Sequence, residues 1–425
     1  MTHFALTRRH ILASIGALGL GVAYAPAAFA RVKARIAIVG GGFGGATAAR
    51  SLKRLLPNAD ITLIEPSKTY IACPFSNLVI SGDRSLSAQL FSHDTLVREG
   101  ITVIQDSASG ITPGNKVIHL ANGADIPFDR AILSPGIAMR WGAIDGYTED
   151  ATTAMPHAWK AGSQTARLRQ QLHAMEDGGL VVMSIPAAPY RCPPGPYERA
   201  SLIAHYLKTE KPKSKLILLD AKDSFSKQPL FMESWQELYG DTLEWRSASD
   251  DGRVSRVDSS AMTIDTDFET FNASVANIIP PQKANTIAER AGVADATGWC
   301  PVNATSSEST LQPDIHVIGD ASIAAPMPKS AFSANLQAKV CAIQVARLLS
   351  DLAPEPTTLS NTCYSYLSPD AAISIAGVYT NENGAFASVA GAGGLSPAGP
   401  ISDIRHQEAR EAADWFDTIT RDAFG

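Results

Sequence analysis

The chain has 425 residues, 45% hydrophobic and 18% charged, with 32 Gly and 26 Pro; it can bury two or three ordinary cores and is neither disordered, collagenous nor a coiled coil. Its 36 basic and 42 acidic residues give a net charge of −6 without a Lys/Arg run, which argues against a nucleic-acid partner, and no fixed-period repeat points to a solenoid. Residues 1–30 read as a twin-arginine export signal: Thr7-Arg8-Arg9-His10-Ile11-Leu12 leads into an apolar run, Ile15 to Ala23, that ends at Ala28-Phe29-Ala30. A periplasmic protein beginning at Arg31 is expected, and because this route carries folded proteins, so is a cofactor loaded before export. The apolar run is too short to span a bilayer and nothing longer follows, so no membrane insertion is expected.

The strand-like Ala34 to Val39 runs into Gly40-Gly41-Gly42-Phe43-Gly44-Gly45 and a helical Ala46 to Leu56; the next strand, Ile61 to Ile64, ends at Glu65, twenty residues after Gly45. Strand, glycine turn, helix and acid at this distance form a dinucleotide-binding βαβ unit. Gly40 makes the tight turn, Gly42 lets a pyrophosphate approach the backbone, Gly45 brings the helix against the strand, and Glu65 is expected to accept from ribose hydroxyls, with Gly41 and Gly44 the remaining cofactor-binding positions of the turn. Far downstream, Ile315 to Ile318 leads into Gly319-Asp320, which resembles the second fingerprint of FAD enzymes, where the aspartate holds the ribityl chain and a following helix, here about Ser330 to Leu349, points its positive end at the flavin. FAD is therefore the expected dinucleotide. Arg130 to Leu133, followed by Ser134-Pro135-Gly136, sits where such chains leave the FAD domain.

A second α/β unit begins at Leu180 to Ile185, but the phosphate loop a nicotinamide would need is replaced by Pro186 to Gly195, rich in prolines that lack N–H donors, so NADH binding is disfavoured. The fold class expected is α/β: two Rossmann-like domains arranged as in glutathione reductase, with a smaller α+β C-terminal domain. The boundaries are 31–150 with 285–355 for FAD, 151–284 for the NAD-like domain without its loop, and 356–425 for the third. A closing helix, Ile404 to Ile419, carries Arg405, Glu408, Arg410, Glu411 and Asp414, a pattern read as a solvated helix docking through Trp415 and Phe416 rather than lying in lipid.

The five cysteines are Cys73, Cys192, Cys300, Cys341 and Cys363. No two are close enough in sequence for a zinc site, and without a C-x-x-C-H motif no haem c attaches to this chain. Cys73 lies shortly after the Glu65 strand, within reach of a flavin ring; Cys192 sits in the proline-rich loop facing the same place. Cys341 on an apolar helix and Cys300 beside Trp299 read as structural thiols, with pairing between them left open.

Seven stretches along the length of the mature chain resemble the flavoprotein subunit of flavocytochrome c sulfide dehydrogenase: the Cys-Pro-x-Ser-Asn segment at Cys73, Arg191-Cys192-Pro193-Pro194-Gly195-Pro196-Tyr197-Glu198, Phe225-Ser226-Lys227-Gln228, Ile279 to Ala284, Trp299-Cys300-Pro301-Val302, Met327-Pro328-Lys329-Ser330 and Asn361-Thr362-Cys363-Tyr364-Ser365. The resemblance implies FAD attached through Cys73 and a redox disulfide between Cys192 and Cys363. It also implies sulfide as substrate and a c-type cytochrome partner that carries the haem. It further makes Glu198 a proton carrier, against the reading of Glu198 as a solvated helix-start residue. Two other functions fit the same residues: a sulfide:quinone oxidoreductase, or a sulfur-oxidation flavoprotein that reactivates a partner by thiol exchange.

Overall fold

A computed structural model describes residues 29–381 and 384–425; the expected export segment lies outside these apart from its last two positions. Five parallel strands form the first sheet, in the order Ile315–Val317, Arg130–Leu133, Arg35–Val39, Asp60–Ile64 and Thr102–Ile104. These short runs of Ile, Leu and Val are buried on both faces. Ile36 and Ile38 pack with Ala49 and Leu52 of the helix Phe43–Leu55 and with Ala338, Ala342 and Val345 of the helix Ala331–Leu348, while Ala37 and Val39 face Ile111 and Ile118 of an antiparallel meander. Each fully buried Ile, Leu or Val among these contributes roughly 1.5–3 kcal/mol. The first helix begins at Phe43, three residues before the expected Ala46, so its opening turn is built from the glycines themselves.

The second sheet is also parallel, in the order Leu243–Arg246, Lys215–Asp220, Leu180–Ile185 and Val275–Ile278. The third is antiparallel and joins Thr358–Ser368, Ala371–Thr380 and Ala387–Leu395. Alternation along Thr358–Ser368 buries Leu359, Asn361, Cys363 and Ser365 on one face.

The closing helix is longer than expected, Asp403–Phe424, and buries Phe416 and Phe424. Phe416 packs on Phe75, and Phe424 stacks on Tyr70 and Phe91. Its charges differ from the sequence reading at two places. Arg405 and Glu408 are buried: the Glu408 carboxylate lies 3.5 Å from Arg405 and accepts from the hydroxyls of Ser374 and Ser396, and the Arg405 guanidinium donates to the Pro397 carbonyl. No helix among the described residues is long and apolar enough to cross a membrane.

Candidate flavin and cysteine site

The carboxyl ends of the first sheet's strands open onto a cavity of about 610 Å³, the edge where α/β sheets bind ligands. At the end of Arg35–Val39, Gly40 has φ +98°, in the left-handed region that favours glycine. Gly45 lies so close beneath it that a Cβ there would stand 1.8 Å from the Gly40 carbonyl oxygen. Gly40, Gly41, Gly42 and Gly44 line the cavity, where the first-turn N–H groups of Phe43–Leu55 have no partner within the helix. The Glu65 carboxylate lines it too, but accepts from the backbone N–H of Gly41 at 2.8 Å and of Ser67 at 2.9 Å. It thus braces the glycine turn as well as facing the place expected for a ribose.

Across the cavity, Gly319 and Asp320 form a tight turn after Ile315–Val317. Asp320 Oδ1 is buried without a hydrogen-bond partner, and Oδ2 lies 3.8 Å from Arg191 Nη1. Burial holds the Asp320 carboxyl above its usual range, opposed by Arg191 and Lys329. An orphaned acceptor in a native cavity calls for a donor such as a ribityl hydroxyl. The helix Ala331–Leu348 starts at the same wall, capped by the Ser330 hydroxyl, which accepts from Ser333 N–H at 3.0 Å; Ser330, Ala331 and Phe332 line the cavity. Glycine cradle, helix ends and unsatisfied aspartate together fit FAD.

The same cavity is walled by Cys73, Cys192, Glu198 and Cys363. Cys73 Sγ accepts from the Ala161 N–H at 3.4 Å, and the Arg191 guanidinium stands beside it, fixed by donation to the Trp159 carbonyl. The proline-rich loop holds Cys192 at φ +56°, an unusual conformation for a residue with a Cβ, secured by its N–H to the Lys329 carbonyl at 2.7 Å. Glycine is needed at position 195, because a Cβ would sit 2.9 Å from Cys192 Sγ. Burial pushes the Cys192 thiol well above its usual range, and the neighbouring Cys363 and Glu198 add to this. Cys363 Sγ accepts from Asn361 Nδ2 at 3.1 Å. No disulfide joins any two of the five cysteines in this structure, and Cys300 and Cys341 are buried in different hydrophobic clusters.

Glu198 is turned into the cavity rather than toward bulk solvent. It accepts from Asn77 Nδ2 at 2.9 Å, while Asn77 Oδ1 accepts from Arg199 Nε at 3.0 Å. Burial raises the Glu198 carboxyl above its usual range against the pull of Asn77 and Lys227. Sequence reasoning missed three supports. Arg199 is buried, donates to the carbonyls of His157 and Ala158 and to Asn277 Oδ1, and lies on the Trp159 ring. Lys227 is buried beside Cys363, and Asn361 holds its sulfur. Only their place inside the matched stretches hinted at Lys227 and Asn361; nothing local marked Arg199.

The second sheet's corresponding edge is filled. Asp220 is fully buried and accepts from Tyr197 Oη at 2.6 Å, Trp245 Nε1 at 3.1 Å and Lys222 Nζ at 2.5 Å. The Tyr197 ring stacks on Phe225 with centroids 3.6 Å apart.

Residues 165–280 match the model of the central part of the sulfide dehydrogenase (flavocytochrome c) flavoprotein chain, and residues 355–424 match the flavocytochrome c sulphide dehydrogenase flavin-binding model. Residues 34–172 match the pyridine nucleotide-disulphide oxidoreductase model. Among relatives, the flavoprotein chain of sulfide dehydrogenase (flavocytochrome c) from Chlorobaculum thiosulfatiphilum is 51% identical over 45 residues, 11% of this chain and 94% of that one. Mitochondrial sulfide:quinone oxidoreductase of Mus musculus is 23% identical over 292 residues, 67% of this chain but only 65% of the mouse protein's length. The solved structure of the sulfide:quinone oxidoreductase from Aquifex aeolicus superposes with a TM-score of 0.70 at 16% identity, over 91% of this chain and 92% of that one, a likeness of fold. The chain belongs to the flavocytochrome c sulfide dehydrogenase flavoprotein family.

Proposed function

We propose that the protein is the flavoprotein of a periplasmic sulfide:cytochrome c oxidoreductase, with FAD attached through Cys73, a redox disulfide between Cys192 and Cys363, and haem c carried by a partner subunit. The observation that carries this reading is that one cavity is walled at once by the dinucleotide cradle and by Cys73, Cys192, Cys363 and Glu198. When bound, FAD supplies a two-electron acceptor that can release electrons one at a time. The glycine turn, Glu65, Gly319 and Asp320 would hold it. Cys192 and Cys363 receive hydrosulfide by thiol–disulfide exchange, and the Glu198 carboxylate, raised by burial, takes the proton. Arg199 and Asn77 keep that carboxylate in place.

A quinone acceptor is the second reading, supported by the likeness to the mouse sulfide:quinone oxidoreductase. One anaerobic experiment tests both. Sulfide bleaches the flavin, and a soluble c-type cytochrome then restores its absorbance while quinone in liposomes does not. The reverse acceptor preference selects the second reading. A flavin that dithionite reduces but sulfide leaves oxidised sinks both and leaves the partner-reactivating function.

A further inference from the structure

Lys227 is a buried lysine at the head of the helix Gln228–Leu238, at φ +63°. Its Nζ donates to the Cys363 carbonyl at 3.0 Å and to Ser365 Oγ at 2.7 Å, both on the strand Thr358–Ser368. Around the ammonium stand Cys363 on that strand, Cys192 in the proline-rich loop, Glu198 on the helix Gly195–Glu210 and Glu408 on the closing helix, with the Phe231 ring beside it. Asn361 Nδ2 lies 3.1 Å from Cys363 Sγ, and its oxygen accepts from Ser330 Oγ at 2.6 Å and Ser333 Oγ at 3.1 Å, the assignment of the amide that gives both hydroxyls an acceptor and the sulfur a donor. Tyr379 is the further titratable group beside Cys363. The two sulfurs are therefore unequal. Cys363 accepts from the Asn361 amide and carries Lys227 on its own carbonyl, whereas Cys192, although Arg191 and Lys227 also stand near it, lies beside the Glu198 carboxylate, and burial pushes its thiol up.

We propose that Lys227 is a positioning residue which, with Asn361, makes Cys363 the leaving sulfur of the pair, so that hydrosulfide attacks Cys192. This rests on the sulfide-oxidising reading above. The incoming sulfur bonds to Cys192 Sγ, the Cys192–Cys363 bond breaks, and its electron pair leaves on Cys363 Sγ as a thiolate beside Lys227. The disulfide is the oxidant: Cys363 is reduced, and the sulfide sulfur becomes the outer atom of a persulfide on Cys192, its proton passing to Glu198. A thiol stabilised as thiolate is the faster leaving group.

The test needs no sulfide. In the flavin-loaded protein, Cys192→Ser leaves Cys363 and Cys363→Ser leaves Cys192; each is alkylated with iodoacetamide across a pH series, and the labelled peptide is quantified by mass spectrometry. The Cys363 midpoint is expected at least about one pH unit below that of Cys192. Adding Lys227→Met to Cys192→Ser raises the Cys363 midpoint by about one unit, and Lys227→Arg keeps it low. A lower midpoint for Cys192, or no movement with Lys227→Met, overturns the proposal. If Lys227→Met does not fold, the comparison of the two single-cysteine variants, which keep Lys227, still decides. Loss of sulfide bleaching with this order of midpoints intact would count against the function and not against the Lys227 assignment.

Discussion

Gly45 shows how narrowly single residues fix the site. Its missing Cβ would lie 1.8 Å from the Gly40 carbonyl, a backbone atom that cannot swing aside, so helix and strand must separate to admit it. Gly45→Ala should therefore open the turn and cost about 1–3 kcal/mol or more, with loss of bound flavin. The ratio of flavin to protein absorbance after purification checks this, and a fully loaded Gly45→Ala protein would show that the turn does not set flavin binding. This glycine was legible because a fixed spacing between strand, turn and acid leaves a strong local pattern. Lys227 and Arg199 were not, because their partners, Cys363 with Ser365 and Asn77 with Asn277, are brought in by distant strands and helices. Glu65 fell between: its position was readable, but its bracing of the Gly41 N–H was visible only once the turn was folded.

At the scale of elements, the closing helix is tied down by a residue of the first one. Arg50 donates from Nη1 to the carbonyls of Arg421 and Asp422 at 2.8 and 2.7 Å, satisfying the helix end, and from Nε and Nη2 to the two oxygens of Glu99. The helix in turn places Ala412 and Trp415 in the cavity wall. Arg50→Met should cost about 2–4 kcal/mol, discounted from a fully buried pair because Glu99 is partly exposed. Hydrogen bonding from Arg50 holds the Glu99 carboxyl below its usual range. A depressed carboxyl stabilises the fold above its unfolded pKa of about 4.3, and the contribution is lost as pH falls through the lower folded value. The gap between the denaturation midpoints of the two proteins should thus be widest at neutral pH and narrow in acid to the part carried by the Arg421 and Asp422 carbonyls; an equal gap at both would remove Glu99 from the account. Periodicity revealed this helix and its Phe416 face. It misplaced Arg405 and Glu408, since a buried ion pair looks like surface charge until Ser374 and Ser396 from the neighbouring sheet region supply its hydrogen bonds.

Across the whole molecule, two sheets of the same design meet opposite fates. The first keeps its ligand edge open, with a glycine turn and an unsatisfied Asp320; the second closes its edge. The prolines of 186–194 were the readable sign. The structure adds the reason the site cannot simply be refilled: Asp220, at the strand end where a nucleotide ribose would be met, is already saturated by Tyr197, Trp245 and Lys222, and Phe225 lies flat on Tyr197. Opening this edge would leave a buried carboxylate without its donors, at a cost of several kcal/mol. On the proposed function, reducing equivalents reach the flavin from the side of Cys192 and Cys363. Anaerobic NADH and NADPH should accordingly leave the flavin absorbance unchanged at concentrations where sulfide bleaches it within the mixing time. Stoichiometric bleaching by either nicotinamide would mean that the edge opens in solution and that the cysteine face is not the sole entrance for electrons.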